Sequence, residues 1–312
     1  MALYLITGIA GFIGSSLARA LLSRGEQVRG VDNLATGKRE NISEILNGID
    51  FREADITDLA AMHKACIGVD FILHQAAIPS VPKSVLDPLG SNRANVDGTV
   101  NVLVAARDAK VKRVVYAASS SAYGDTPTLP KHEAMKPDPI SPYAVAKLAS
   151  EHYMISFYRC YGLETVCLRY FNIFGPRQDP TSPYSGVLAK FITQMLRGEQ
   201  PTIFGDGEQS RDFTYIDNAV EANLLACTAP SDKAAGHMFN VATGRRVTLI
   251  ETFKLLQELT AYRGAANFGA ERGGDIKHSL ADISAAETAL GYKPRIDFEE
   301  GLRRTVAWYR GK

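Results

Sequence analysis

The chain opens on a short apolar run, Leu3-Tyr4-Leu5-Ile6-Thr7. Gly8-Ile9-Ala10-Gly11-Phe12-Ile13-Gly14 follows at once and leads into the helical pattern Phe12–Ser23. Glycines at this spacing, between a strand and a helix, leave few folds open. The backbone must turn where side chains would obstruct it, and the helix starts with free N–H groups and the positive end of its dipole facing outward. The spacing is G-x-x-G-x-x-G, not the G-x-G-x-x-G of the commonest dinucleotide fingerprint. A second strand, Val28–Asp32, ends in an acid about 20 residues on, where a carboxylate accepts from a ribose 2′-OH and repels a 2′-phosphate. Turn and acid together predict a dinucleotide site that takes NAD over NADP. Asp55-Ile56, ending a third strand, is placed to flank the adenine, with a solvated strand-end acid as the alternative.

Further strands are predicted at Asp50–Asp55, Val69–Gln75, Arg113–Ser119 and Glu164–Phe171. They alternate with helices at Leu59–Cys66, Asn92–Ala109 and Tyr143–Tyr161. The alternation, and the continuous apolar character of several strands, predict an α/β fold: a doubly wound, Rossmann-like parallel sheet covered on both faces. After Phe171 the pattern loosens. Short strands are expected at Phe213–Ile216 and Met238–Ala242, and helices at Val187–Arg197, Leu249–Tyr262 and Phe298–Trp308. Residues 1–171 are thus expected to form a dinucleotide-binding domain, joined by parts of 213–245, and residues 172–312 a smaller mixed α/β substrate lobe.

The hydrophobic share is 46% and the charged share 22%, ordinary for a globular chain. A net charge of +1 offers no field to attract nucleic acid or an anionic membrane, so an anionic ligand must be held by a few placed basic groups. Cys66, Cys160, Cys167 and Cys227 lack metal-ligand spacing and are expected as thiols in or near the core, with no metal. No apolar run reaches membrane-spanning length, and no signal peptide precedes the first strand; a cytoplasmic location is the expectation.

Tyr143-Ala144-Val145-Ala146-Lys147 follows Ser141-Pro142 and opens a helix. The i, i+4 spacing puts the phenol and the ammonium on one face. A free phenol has a pKa of about 10, too high for a base at neutral pH. A neighbouring cation and an oxidised nicotinamide would favour the phenolate. The serine-rich run Ser119-Ser120-Ser121-Ala122-Tyr123-Gly124 ends the fifth strand, at the sheet edge where ligands bind in open parallel sheets.

In this order, the motifs resemble those of the extended short-chain dehydrogenases/reductases, in the UDP-sugar 4-epimerase branch. The resemblance runs through Thr7–Gly14, Asp32-Asn33-Leu34, His74-Gln75-Ala76-Ala77, Ser119–Gly124, Tyr143–Lys147, Leu168–Pro176, Gly205–Asp217 and Arg272–Asp282. It implies Ser119 as the catalytic hydroxyl, Tyr143 as the base and Lys147 as the residue on the nicotinamide ribose. It implies Gly8, Gly11, Phe12, Ile13, Gly14, Asp32, Asn33, Asp55, Ile56, Gln75, Ala76, Ala77 and Tyr170 around NAD. Ser84, Ser120, Ser121, Asn172, Gln178 and Val187 would face the substrate. Arg211 and Arg272 would grip the diphosphate, Asp275 a nucleotide ribose, and Ser279 would line the sugar pocket near C2. A small residue at Ser279 admits an N-acetyl group. Related chains pair the helices corresponding to Asn92–Ala109 and Tyr143–Tyr161 into a four-helix bundle, so a homodimer is expected.

The implied activity is C4 epimerisation of a UDP-hexose, plain or N-acetylated, through a 4-keto sugar. Dehydratases of this fold carry Asp-Glu after the catalytic hydroxyl, and decarboxylases usually a Glu. Both places are serine here, Ser120 and Ser121, which leaves no extra acid for elimination. A UDP-glucuronate 4-epimerase stays open, and a non-catalytic NAD-binding protein is the rival of another class.

Overall fold

The computed structural model describes residues 1–180, 186–271 and 277–311. A parallel sheet of seven strands runs through it: β1 (Leu3–Thr7), β2 (Gln27–Asp32), β3 (Ile49–Glu53), β4 (Phe71–His74), β5 (Arg113–Ser119), β6 (Glu164–Tyr170) and β7 (His237–Val241). Their spatial order is β7-β6-β5-β4-β1-β2-β3, so the order reverses between β1 and β4. Thr7 registers with His74, and Ser119 with Tyr170, which brings these carboxyl ends level.

Successive strand residues serve opposite faces. Ile6, Leu73, Val115 and Leu168 join one core, packed by helix α1 (Phe12–Ser23) and by residues of the second half of the chain. Leu5, Ile72, Val114 and Cys167 join the other, under α2 (Leu59–Cys66) and the helices of the first half. Period-2 burial on both faces is what the apolar strands dictate.

Several elements differ from expectation. The strand expected at Met238–Ala242, in the stretch read as rejoining the dinucleotide-binding domain, runs one residue earlier as β7 and pairs along β6 at the edge of the main sheet. Phe213–Ile216 supplies only the paired residues Thr214–Tyr215, because Ile216 already begins a helix running to Thr228. Asn92–Ala109 is not one regular helix. A wide turn at Arg93–Asp97 precedes α-helix Gly98–Asp108, and Asn95 at that turn accepts from the Ile78 N–H at 2.8 Å. A further helix forms at Val81–Leu86, where Ser80 caps it and Pro82 lies in its first turn. Of the four thiols, Cys160 is exposed rather than in the core.

The helix Pro142–Tyr161 carries the Tyr–Lys pair. Ser141 caps it, accepting from the Ala144 N–H at 3.2 Å, and Pro142 begins its first turn. Beyond β6 the described residues build three small two-stranded pieces, Ile173–Phe174 with Thr214–Tyr215, Ser210–Arg211 with Val247–Thr248, and Thr202–Phe204 with Asn267–Gly269. Among the described residues no helix is long and apolar enough to cross a membrane, and no group of His, Cys, Asp and Glu could hold a metal.

Candidate active site

The glycine turn is shaped by contact with its neighbours. Gly8 has φ +72°, and a Cβ there would stand 2.8 Å from the Ala76 backbone; one on Gly14 would stand 2.1 Å from the Gly8 carbonyl oxygen. Side chains are therefore excluded at Gly8 and Gly14. Gly11 caps α1 without a side-chain bond, and no acid occupies the first turn, so the N–H groups of Phe12, Ile13 and Gly14 form an anion seat. Beside it, Asp32 at the end of β2 accepts from the Ala10 and Leu34 N–H groups at 2.9 and 2.8 Å. Asn33 donates to Asp55 at 2.8 Å; burial works against the Asp55 carboxylate, but bonds from Thr57 and Asn33 hold it below the usual range. Ile56 is buried against Gly98.

Gln75, Tyr170 and Asn223 close a ring of three hydrogen bonds. Gln75 Nε2 donates to Asn223 Oδ1 (3.1 Å), Asn223 Nδ2 to Tyr170 Oη (2.7 Å) and Tyr170 Oη to Gln75 Oε1 (3.3 Å). Burial pushes the Tyr170 phenol up to about 12, so it stays neutral. Asn223 lies outside the sequence-derived set, since no local pattern marks a partner 53 residues from Tyr170. Ala76 and Ala77 line the end of β4, and the Ala76 N–H donates to Thr7 Oγ1 at 3.2 Å.

His74 sits fully buried beneath these groups. Thr99 gives its own proton to the Asn95 carbonyl at 2.6 Å, so its oxygen must accept from His74 Nε2–H at 3.0 Å. Thr7 donates to His74 Nδ1 at 2.7 Å. The tautomer is thereby fixed as neutral Nε2–H, and burial lowers the imidazole to about 3.

Ser119, Tyr143 and Lys147 meet where β5 ends and the Pro142–Tyr161 helix begins. Burial raises the Tyr143 phenol, and a hydrogen bond with Ser119 opposes the rise. Lys147 donates to the Ala117 carbonyl at 2.8 Å and lies 4.7 Å from the centre of the Tyr116 ring. Burial lowers its ammonium to about 7. The i, i+4 spacing predicts a cation at the phenol, whereas the Lys147 ammonium is engaged by the Ala117 carbonyl of β5. Ser84 accepts from the Tyr143 backbone N–H at 3.0 Å and donates to Val81 at 2.7 Å, so its hydroxyl positions the helix start. Ser120 and Ser121 continue the turn, with Ser121 bonded to Ser119.

Just past the end of β6 stands Asn172, in the left-handed region at φ +39°. Its Nδ2 donates to the Asp212 carbonyl at 3.2 Å and to Ser279 Oγ at 3.1 Å, and Ser279 Oγ also accepts from the Asp212 N–H at 3.3 Å. Arg211 donates to the Ser210 and Lys277 carbonyls, both at 3.0 Å. Val187 begins helix Val187–Leu196. Gln178, with Lys38, Arg177, Asp179 and Trp308, lines a cavity of about 390 Å³. Arg272 and Asp275 lie outside the described residues.

A glycine-walled anion seat, a strand-end acid and a Ser–Tyr–Lys group on one sheet edge are now in place. The NAD dependent epimerase/dehydratase family matches residues 4–242. The chain belongs to that family. It is an extended short-chain dehydrogenase/reductase, and its cofactor is NAD. A putative UDP-glucose 4-epimerase of Methanocaldococcus jannaschii is 37% identical over 308 residues, 98% of either chain. The solved UDP-glucose 4-epimerase of Thermotoga maritima, with UDP-glucose, shares 39% identity and a TM-score of 0.94, covering 99% of both chains. The UDP-N-acetylglucosamine 4-epimerase of Methanobrevibacter ruminantium, in complex with UDP-N-acetylmuramic acid, shares 40% identity and a TM-score of 0.94. That match covers 99% of this chain and 98% of the other. Other relatives bear other names: a UDP-glucuronate 4-epimerase of Thermodesulfobacterium geofontis, at 34%, and a UDP-N-acetyl-alpha-D-glucosaminuronate decarboxylase of Bacillus cytotoxicus, at 32%.

Proposed function

We propose that this chain epimerises C4 of UDP-hexoses, interconverting UDP-N-acetylglucosamine with UDP-N-acetylgalactosamine and UDP-glucose with UDP-galactose. The observation that carries the reading is the meeting of Ser119 and the buried Tyr143 phenol at the carboxyl end of β5, on the same sheet edge as the Gly8–Gly14 turn. The likeness to named epimerases of both sugar types supports the substrate class. The absence of a carboxylate at Ser120 and Ser121 favours epimerisation over elimination.

In this reading the helix N-terminus at Phe12–Gly14 receives the NAD pyrophosphate, Asp32 the adenosine ribose and Lys147 the nicotinamide ribose. NAD, when bound, supplies a hydride acceptor that also returns the hydride, and its use in both directions requires it to stay bound. Tyr143 takes the proton of the sugar 4-OH. Its phenol starts high through burial, so a positive charge close by is needed to bring the phenolate into range. Ser119 holds the sugar oxygen. The ring of Gln75, Tyr170 and Asn223 walls the site, and Asn172 with Arg211 and Arg272 receives the diphosphate. Inversion follows because the 4-keto sugar presents its other face before hydride returns.

The test is incubation with UDP-hexoses, their N-acetyl forms and their uronic acids, followed by separation of products. Both hexose pairs should equilibrate. Conversion of UDP-glucuronate alone, or of no sugar, would overturn the reading. We also infer a homodimer, formed through the Pro142–Tyr161 helix and the helical turns packed beside it. Its support is the outward exposure of Val145, Tyr153 and Tyr161 together with Leu86 and Leu89.

A further inference from the structure

Ser121 has no part in the chemistry above, yet two of its groups reach one atom of it. Its hydroxyl donates to Ser119 Oγ at 2.8 Å, and its backbone N–H points at the same oxygen from 3.2 Å. The N–H contact is ordinary capping, since Ser119 precedes the helical turn Ser120–Tyr123. The hydroxyl contact is not needed for that turn; an alanine at this position could make the same N–H bond.

A hydroxyl oxygen has two lone pairs and one proton. With both lone pairs of Ser119 filled from Ser121, only its proton remains for a further partner. Ser119 can then donate to a sugar oxygen or to the Tyr143 phenolate. It cannot receive a proton from the sugar while passing its own to the tyrosine.

We propose that Ser121 is a positioning residue that holds Ser119 as a one-way donor, so that the carbinol proton passes directly to Tyr143 and is not relayed. The sugar O–H bond breaks, a Tyr143 Oη–H bond forms, and Ser119 keeps its own proton against the sugar oxygen. In the return step the same Tyr143 proton goes back and the count closes. The inference rests on the reading of Tyr143 as base.

It is tested on the chemical step in single turnover, in mixtures of H₂O and D₂O, with UDP-galactose as substrate. The wild type should give a linear dependence on deuterium content, the mark of one moving proton. Ser121→Ala frees a lone pair on Ser119; the rate constant should fall roughly tenfold with KM within twofold, and the dependence should become curved. Ser121→Thr keeps the donor and should restore both rate and linearity, which mere packing at this position would not. A curved dependence in the wild type, or an Ser121→Ala variant with unchanged rate and linear dependence, would overturn the proposal. Tyr143→Phe is run alongside. If it stays active, the reading of the base falls; if it is inactive while Ser121→Ala is indifferent, this inference alone falls.

Discussion

Arg169 and Glu151 form a bidentate ion pair with almost no exposed surface, Nε and Nη2 donating to the two carboxylate oxygens at 2.8 and 2.6 Å. Arg169 precedes Tyr170 on β6, and Glu151 lies one helical turn beyond Lys147, so the pair locks the catalytic helix to the sheet. The Tyr123 ring lies 4.6 Å from the guanidinium. Glu151→Leu would leave a buried guanidinium without its counter-charge. We expect it to lower the unfolding free energy by about 3–5 kcal/mol, read from urea denaturation. A loss below about 1 kcal/mol would show that the guanidinium finds another partner or water.

The pair itself was not legible in the sequence, and the reason is general to this chain. The glycine turn, Asp32, Ser119 and the Tyr143–Lys147 spacing are local signals: each lies within a few residues of the strand or helix end that places it. Strands β1 and β5 and helix Phe12–Ser23 were readable for the same reason. What escaped depends on distant partners. Asn223 matters only because α/β winding sets it beside Tyr170 and Gln75. β7 is recognisable as the edge strand of the main sheet only once β6 is beside it. Ser84 is expected against the substrate, and its tie to the Tyr143 N–H and the Val81 carbonyl shows only once the two helices are set side by side. The break at Arg93–Asp97 is likewise a tertiary matter, tied to Asn95 bonding back to Ile78.

Loss of the base should be far costlier than loss of the serine. Tyr143→Phe removes the proposed proton acceptor and should lower epimerisation by several orders of magnitude, with the fold and bound NAD retained. Ser119→Ala should cost less, because it removes a donor to the sugar oxygen and leaves the acceptor. The measurement is kcat/KM for both variants beside the NAD content of the purified protein. Activity of Tyr143→Phe within tenfold of wild type would remove Tyr143 from the role.

His74 predicts a particular acid sensitivity. Its folded pKa is lowered from 6.5 to about 3 by burial. Between these values the unfolded chain binds a proton that the folded chain refuses, so stability rises with pH across that window and is lost as pH falls through it. Above 6.5 both states hold a neutral ring and the contribution is flat. At about pH 5 the loss should be about 2 kcal/mol. His74→Gln should show a smaller drop in urea midpoint than wild type between about pH 7.5 and about pH 5. Parallel curves for the two proteins would mean that the ring is protonated in the fold.

The homodimer is expected on a narrower surface than the sequence suggests. Val96 and Phe157 pack in the chain's own cores, while Val100 and Val104 are half-buried. Tyr153 and Tyr161 remain outward, joined by Val145, Leu86 and Leu89, the last two more than 80% exposed. Such a concentration of large apolar side chains is uncommon on a solitary surface. Sedimentation should show a dimer at micromolar concentration, and Tyr153→Glu with Val145→Glu should shift it to monomer. A monomeric wild type at that concentration would refute the assembly.

Ser279 is proposed to select which sugars enter, and its hydroxyl is occupied as well as small. Ser279 Oγ accepts from Asn172 Nδ2 and from the Asp212 N–H, so it fastens Asn172 to the loop that bears Arg211. A tyrosine there would add bulk where an N-acetyl group is proposed to lie, at roughly 1–3 kcal/mol or more for the larger sugar, whereas unused space costs a small sugar little. It would also remove the acceptor that holds Asn172, and that loss should weaken all UDP-sugars alike. The two effects separate with a second variant. Ser279→Ala keeps the volume and drops the acceptor, so KM should rise by a similar factor for UDP-galactose and UDP-N-acetylgalactosamine. Ser279→Tyr should show that shared rise and, beyond it, abolish turnover of the N-acetyl substrates. The readout is kcat/KM for both substrates in both variants, taken as a ratio within each protein so that the shared loss cancels. A ratio in Ser279→Tyr equal to that of Ser279→Ala would mean that volume at this position does not select the sugar, and the assignment to N-acetylated substrates would fall with it.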